Sequence, residues 1–328
     1  MPPSSALRVL CLRPERDFLD VGVTPPADLD VAFVEDERAV TEIASDFACL
    51  VLPSAGPSLA PEMFRRATGL RLVQYTGAGV DRIAGEVLDR LACPVCNVPG
   101  ASAPDVASYV VVTAGSLLRR LQVGDRLVKS GRYVEARAEL APALVRGFRG
   151  LHVGIVGFGA IGREVAKLFT ALGSDVRWFD PAPAPTDELV RYERSDLDEL
   201  LRWCELLTVH VPLTGTTRGL LGEAELAKLP RGALVVNAAR GGVIDEPALV
   251  QSLESGQLGG LVLDVYEQEP LPPSAAILDA AARHSDRVLL TPHIAGVTPE
   301  ASRRLFDLAW SNVHATLTGR SRPACRVR

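Results

Sequence analysis

The segment Val153-Gly-Ile-Val-Gly157-Phe-Gly159-Ala160-Ile161-Gly162 constrains this chain more than any other. Three glycines spaced G-x-G-x-x-G, after an apolar run and before an amphipathic one, specify a strand, a tight turn and the start of a helix. Gly157 permits the turn, Gly159 lets the backbone approach a pyrophosphate, and Gly162 lets the helix lie close on the sheet. The helix start offers unpaired N–H groups and a favourable dipole to phosphates. Asp180 closes the next expected strand, 18 residues beyond Gly162. A carboxylate there accepts from ribose hydroxyls and repels a 2′-phosphate. No arginine follows in Pro181-Ala182-Pro183, so the motif reads as a site for NAD rather than NADP.

Around this motif, strand-like runs at 151–157, 175–180, 205–210, 233–238, 260–264 and 287–291 alternate with helical stretches at 161–172, 195–204 and 246–254. Six strands with intervening helices make a complete doubly wound dinucleotide domain. The first hundred residues carry the same alternation, with strands expected at 7–12, 30–34, 49–52, 70–75 and 95–98 and helices at 36–45 and 59–67. Between the halves, 104–121 puts Val106, Val110, Thr113, Leu117 and Leu121 on one helical face. The stretch 129–150 is polar and less regular, and a last helix at 299–317 is expected to pack back on the first half. The fold class is therefore α/β, with two doubly wound parallel-sheet domains flanking a cleft. A Rossmann NAD domain spans 102–293, and a discontinuous flavodoxin-like substrate domain takes 1–101 plus 294–328.

Composition narrows the partners. The chain has 328 residues, 47% hydrophobic and 23% charged, enough apolar content for packed cores and too much for disorder. The net charge is −5, the only lysines are Lys129, Lys167 and Lys228, and the arginines are scattered among acids, so nucleic acid is not expected as a partner. No apolar run approaches the roughly 18 residues of a membrane span. Arg8 interrupts the N-terminal apolar stretch, which argues against a secretory leader. Cysteines 11, 49, 93, 96, 204 and 325 read as reduced thiols of a cytoplasmic protein. Cys93-Pro-Val-Cys96 has no second ligand pair at local spacing and leads into an extended run, so no metal site is expected.

Three expected strands end in segments rich in ionisable groups: Asn237-Ala-Ala-Arg240-Gly-Gly, Asp264-Val-Tyr-Glu-Gln-Glu269-Pro and Thr291-Pro-His293-Ile-Ala-Gly296. Ligands of open α/β sheets bind beyond the carboxyl ends of strands. An arginine can hold a carboxylate in a fork and polarise a carbonyl. A histidine can exchange a proton near neutral pH, and a neighbouring carboxylate fixes its tautomer. Together Arg240, Glu269 and His293 suit a 2-oxo or 2-hydroxy acid.

The run 151–296 resembles the NAD-dependent D-isomer-specific 2-hydroxyacid dehydrogenases through these motifs, His210-Val-Pro-Leu-Thr, and Leu226-Ala-Lys-Leu-Pro-Arg-Gly-Ala-Leu-Val-Val-Asn-Ala-Ala-Arg-Gly-Gly. Tyr75-Thr-Gly77-Ala78-Gly79-Val-Asp81 resembles the family's substrate loop, and Asn97-Val-Pro-Gly100 its hinge. The resemblance implies hydride exchange between NAD(H) and a small D-2-hydroxy acid or its 2-oxo form, of glyoxylate, hydroxypyruvate or phosphoglycerate type. It implies Arg240 on the substrate carboxylate and carbonyl, His293 as general acid/base, Glu269 as its partner, and Gly77, Ala78 and Gly79 as backbone donors to the acid. Ala160, Ile161 and Asp180 would meet pyrophosphate and ribose. His210, Val211 and Pro212 would line the adenosine side, although His210 read alone is equally a structural strand-end residue. Ala238 and Asp264 would hold the carboxamide end of the nicotinamide, with Gly296 completing the cofactor set. A homodimer through the NAD domain is also implied, and no appended regulatory domain is expected. Two departures stand out: Ser108-Tyr109 where many relatives have Glu-His, and Leu52-Pro53-Ser54-Ala55 where many have Arg-Ser. Two other readings share the resemblance, a formate or phosphite dehydrogenase and an NAD-sensing corepressor-like protein. Glutamine in place of Glu269 typifies the formate enzymes.

Overall fold

The structure is a computed structural model that describes residues 7–34, 46–54, 56–141, 145–182, 191–320 and 327. They fall into two units, Met1–Ser102 with Val297–Arg328, and Ala103–Gly296. Residues Ile294–Gly296 thus go with the larger unit, for a reason given by Asp264 below. The helix expected at 36–45 lies outside the described residues.

In the smaller unit, strands β1 (Arg8–Cys11), β2 (Asp30–Phe33), β3 (Cys49–Leu52), β4 (Leu72–Tyr75) and β5 (Val95–Cys96) form a sheet in the order β2-β1-β3-β4-β5. All its pairs are parallel, and the order is the flavodoxin-like one. A strand turns alternate side chains to opposite faces. Leu10, Leu50, Leu52, Val73 and Val95 accordingly join one apolar core. Val9, Cys11, Cys49, Val51, Leu72 and Cys96 join a second, on the other face. Helix Pro299–Leu317 closes that second face with Phe306, Trp310, Val313 and Leu317. Its start is capped by Thr298, which accepts the Ala301 N–H.

The larger unit holds β6 (His152–Val156), β7 (Asp175–Phe179), β8 (Glu193–Arg194), β9 (Leu206–Val209), β10 (Ala233–Asn237), β11 (Leu258–Leu263) and β12 (Val288–Leu290). Their order, β12-β11-β10-β9-β6-β7-β8, is wholly parallel and reverses direction between β6 and β9. That switch point is where such sheets take their ligands. One face is covered by helices Ala103–Leu118 and Ala160–Ala171 over Val153, Ile155, Leu206, Val236 and Val262.

Three local expectations need correction. The sheet has seven strands rather than six, because two exposed residues, Glu193 and Arg194, add an edge strand. The long helix stops at Leu118, and Arg120 turns left-handed at φ 50° before a separate helix, Leu121–Lys129, begins. Leu121 therefore leaves the buried face that Val106, Val110, Thr113 and Leu117 keep, and is 58% exposed. The stretch 129–150 also contains a helix, Tyr133–Glu139, which is almost wholly exposed.

Candidate active site

Two clusters form at the carboxyl edge of the larger sheet. The first lies at the switch point. Gly157 follows β6 at φ +97° and donates its N–H to Phe179 O at 2.7 Å. A Cβ there would meet the His210 carbonyl carbon at 2.6 Å, so only glycine lets the loops after β6 and β9 touch. Likewise, a Cβ on Gly162 would lie 2.1 Å from Gly157 O. The Phe158 ring anchors the loop by stacking on Trp178 at 4.5 Å. Its N–H donates to Asp180 Oδ2 at 2.7 Å, and Asp180 Oδ1 accepts from Ala182 N–H at 2.8 Å.

This cluster fits a dinucleotide. The helix beginning at Ala160 and Ile161 has no side-chain cap, so its first N–H groups are available to an acceptor. Gly159 and Ala160 are exposed, and a Cβ on Gly159 would meet nothing within 4 Å, which leaves room for a phosphate. His210 pairs its Nε2 with Thr208 Oγ1 at 2.8 Å, while its Nδ1 is buried without a partner. Val211 is buried, and Pro212 is exposed with its carbonyl taking the Thr217 hydroxyl at 2.5 Å.

The second cluster gathers the loops after β10, β11 and β12. The His293 imidazole Nδ1 lies 2.7 Å from Glu269 Oε2, and Glu269 Oε1 accepts the Tyr266 N–H at 3.0 Å. Burial alone would raise the Glu269 carboxyl. The His293 bond, the Tyr266 N–H and the charges of His293 and Arg240 outweigh it and hold the group below its ordinary value. Arg240, half-buried, turns its Nη1 to Ala239 O at 2.7 Å. Its turn is fastened by Asn237, which donates Nδ2 to Arg240 O at 3.0 Å and accepts the Ala239 N–H at 3.1 Å. Ala238, within this turn, is buried. A Cβ on Gly241 would sit 1.9 Å from Tyr266 O, so glycine is also what lets the Arg240 and Glu269 loops touch.

Asp264 has no exposed surface. Its Oδ1 accepts from Thr291 Oγ1 at 2.6 Å and Ile294 N–H at 2.8 Å, and its Oδ2 from Ala295 N–H at 2.7 Å. A nicotinamide-facing role was expected of it. Its carboxylate also ties 294–295, and Gly296 beyond them, to the larger unit. Sequence reasoning assigned no role to Asn237, Tyr266 or Thr291, although all three stand inside the motifs quoted above. In the smaller unit, Gly77 and Ala78 are fastened through their carbonyls, which accept Val98 N–H at 2.9 Å and Asn97 Nδ2 at 2.7 Å, and Gly79 follows half-buried. Arg82, the cation flanking that loop, is buried and donates Nε to Pro57 O at 2.9 Å. Among the described residues, no group of three His, Cys, Asp or Glu side chains could hold a metal, and no helix is long and apolar enough to cross a membrane.

Burial pushes the His210 imidazole down from 6.5 to about 3. Below pH 6.5 the unfolded chain takes up a proton that the folded chain refuses, so stability is lost as pH falls from 6.5 towards 3. Replacing His210 with a non-titrating side chain removes that term. Between pH 7 and 4, His210→Gln should lose about 1–3 kcal/mol less stability than the wild type in urea unfolding at stepped pH. Parallel losses would show that His210 titrates normally.

The D-isomer specific 2-hydroxyacid dehydrogenase NAD-binding domain family matches residues 111–295. A hydroxypyruvate reductase of Thermotoga maritima is 35% identical over 270 residues, 82% of this chain and 85% of that one. A D-3-phosphoglycerate dehydrogenase of Archaeoglobus fulgidus is 35% identical over 241 residues, 73% of this chain, which spans only 44% of that protein's length. In fold, a glyoxylate reductase from Paecilomyes thermophila superposes with a TM-score of 0.84 at 24% identity, over 100% of this chain and 99% of that one. With its two parallel sheets, its glycine loop at the switch point and its Arg240, Glu269 and His293 loops, the chain belongs to the D-isomer specific 2-hydroxyacid dehydrogenases, NAD-dependent oxidoreductases, and carries their NAD-binding domain at 111–295.

Proposed function

We propose that this chain interconverts small 2-oxo acids, of glyoxylate, hydroxypyruvate or phosphoglycerate type, with their D-2-hydroxy acids. The observation that carries the reading is the 2.7 Å contact of His293 Nδ1 with Glu269. Held at Gly157–Gly162 and Asp180, NAD(H) would supply or accept the hydride. Arg240 takes the substrate carboxylate and polarises its carbonyl. The His293 Nδ1 proton is committed to Glu269, which leaves Nε2 to deliver a proton to the carbonyl oxygen in reduction and to remove it in oxidation. The Glu269 carboxylate, held ionised by its surroundings, fixes that tautomer and balances the imidazolium charge. Backbone N–H groups of Gly77, Ala78 and Gly79 serve the acid in the same reading. Val211, Pro212 and His210 line the adenosine side, and Ala238 and Gly296 the nicotinamide side.

The partner is a small acid and not nucleic acid, and the cytoplasm, where the buried thiols Cys11, Cys49, Cys93, Cys96 and Cys204 stay reduced, is the compartment we assign. A second copy of the chain docks on the larger unit, over helices that leave Val112, Leu121, Val128, Tyr133 and Val134 exposed. Sedimentation velocity should show a dimer that Val134→Glu weakens. A wild-type monomer at micromolar concentration would refute the dimer.

Asp180 should favour NADH over NADPH by at least about tenfold in kcat/KM, or roughly 1.4 kcal/mol. Asp180→Ala should narrow the gap, and equal efficiency in the wild type would sink that assignment. With NADH and a panel of 2-oxo acids, His293→Ala should lower kcat by roughly 10²–10⁴-fold. Its NADH affinity, read by fluorescence, should stay near that of the wild type. Near-normal turnover would require another proton donor.

A further inference from the structure

Ser108-Tyr109 is the departure in helix Ala103–Leu118 that the proposed chemistry leaves unused. Ser108 turns its hydroxyl back to Asp105 O at 2.8 Å, within its own helix. Tyr109 reaches outwards. Its hydroxyl lies 2.5 Å from Thr291 Oγ1, which lies 2.6 Å from Asp264 Oδ1. A threonine hydroxyl has one proton. The carboxylate can only accept, so Thr291 donates to Asp264 and Tyr109 must donate to Thr291. Burial pushes the Tyr109 phenol up to about 12, which keeps its donor proton in place.

The end of this relay is the turn that carries His293. Asp264 accepts the Ile294 and Ala295 N–H groups through its carboxylate and the His293 N–H through its carbonyl, at 2.8 Å. His293 itself sits at φ +56°, a left-handed conformation that costs a residue with a Cβ energy and needs outside support. We propose that Tyr109 is a positioning residue for the reaction: its hydroxyl bond to Thr291 orients the Asp264 carboxylate, which in turn holds His293 in register with Glu269. The proposal rests on the reading of His293 as the proton donor. It also gives the Ser-Tyr departure a task, because phenylalanine would fill the same space without reaching Thr291.

The test compares the wild type with Tyr109→Phe, Thr291→Val and Thr291→Ser. One readout needs no substrate. The chain has five histidines, so the His293 Nδ1–H resonance can be assigned by its loss in His293→Gln and its exchange with solvent followed by NMR. Tyr109→Phe should speed that exchange by about three- to tenfold, the worth of one hydrogen bond. With NADH and glyoxylate, kcat should fall by a similar factor while KM stays within about twofold, the pattern of a misaligned donor rather than of lost substrate binding. Thr291→Val should reproduce both changes, and Thr291→Ser, which restores the hydroxyl, should reverse them. Wild-type exchange and kcat in Tyr109→Phe would overturn the proposal. A change in Tyr109→Phe that Thr291→Val fails to reproduce would overturn the route through Thr291. If Tyr109→Phe does not fold, the Thr291 pair decides. Absence of turnover with every 2-oxo acid in the wild type would instead defeat the proposed function, and the exchange measurement would still decide the role of Tyr109.

Discussion

Asp264 follows β11, the strand beside the β12 edge of the larger sheet, and its two enclosed oxygens accept the Thr291 hydroxyl and the N–H groups of Ile294 and Ala295. Taking a carboxylate out of water costs several kcal/mol. Each hydrogen bond to a charged group returns about 1.5–3 kcal/mol, so three of them offset that cost without leaving much net stability. The product is geometry. A left-handed histidine costs about 1–3 kcal/mol and persists only where its surroundings over-determine it. Around His293 they do, because the residue before Pro292 and the two residues after His293 are tied to the same carboxylate.

The Arg240 and Glu269 loops are set against this turn by the backbone more than by side-chain packing. Gly241 brings the two main chains into contact, at a spacing that a Cβ would occupy. Asn237 closes the Arg240 turn from within, while its carbonyl takes the Asp264 N–H at 3.0 Å. Tyr266 donates its N–H to Glu269 and its hydroxyl to Thr291 O at 3.0 Å. Each ionisable side chain of the cluster is thus carried on a loop fastened by its own hydrogen bonds. That is how three strand ends can hold the proposed catalytic geometry before any ligand arrives.

What the sequence made legible follows from which forces leave a periodic trace. Buried parallel strands leave apolar runs, and the runs at 49–52 and 205–210 hold the strands Cys49–Leu52 and Leu206–Val209, buried on both faces. The helix expected at roughly 299–317 is found as Pro299–Leu317, where Thr298 caps it and Pro299 opens it. Elements that bury little leave no such trace, which is why Glu193–Arg194 and Tyr133–Glu139 were missed. The break at Arg120 was hidden differently: Leu121 keeps the helical spacing of Val110 and Leu117, and only the left-handed Arg120 redirects it. In the site, glycine spacing and strand-end charges mark the residues a ligand could meet. They do not show where a side chain's hydrogen bonds go. An aspartate before Val-Tyr-Glu does not announce the three donors of its own chain that Asp264 takes.

Two histidines at the same sheet edge show how environment, and not position, divides the chemistry. His210 follows β9 and His293 follows β12. Near His210 the neighbours are a threonine hydroxyl and the backbone of the glycine loop, burial is the dominant force, and the ring stays neutral. A neutral ring adds no charge beside a loop shaped for an anionic ligand. In the proposed reading it leaves the binding to the glycine-loop N–H groups and to Asp180. At His293 a carboxylate stands 2.7 Å from the ring and the side chain is partly exposed. Exchanging the two settings would place a carboxylate-paired histidine against the dinucleotide and, in the proposed reading, leave the substrate side without a proton donor. In the proposed reading, the switch-point loop and the Asp264 turn therefore keep binding and proton transfer on separate strands of one sheet.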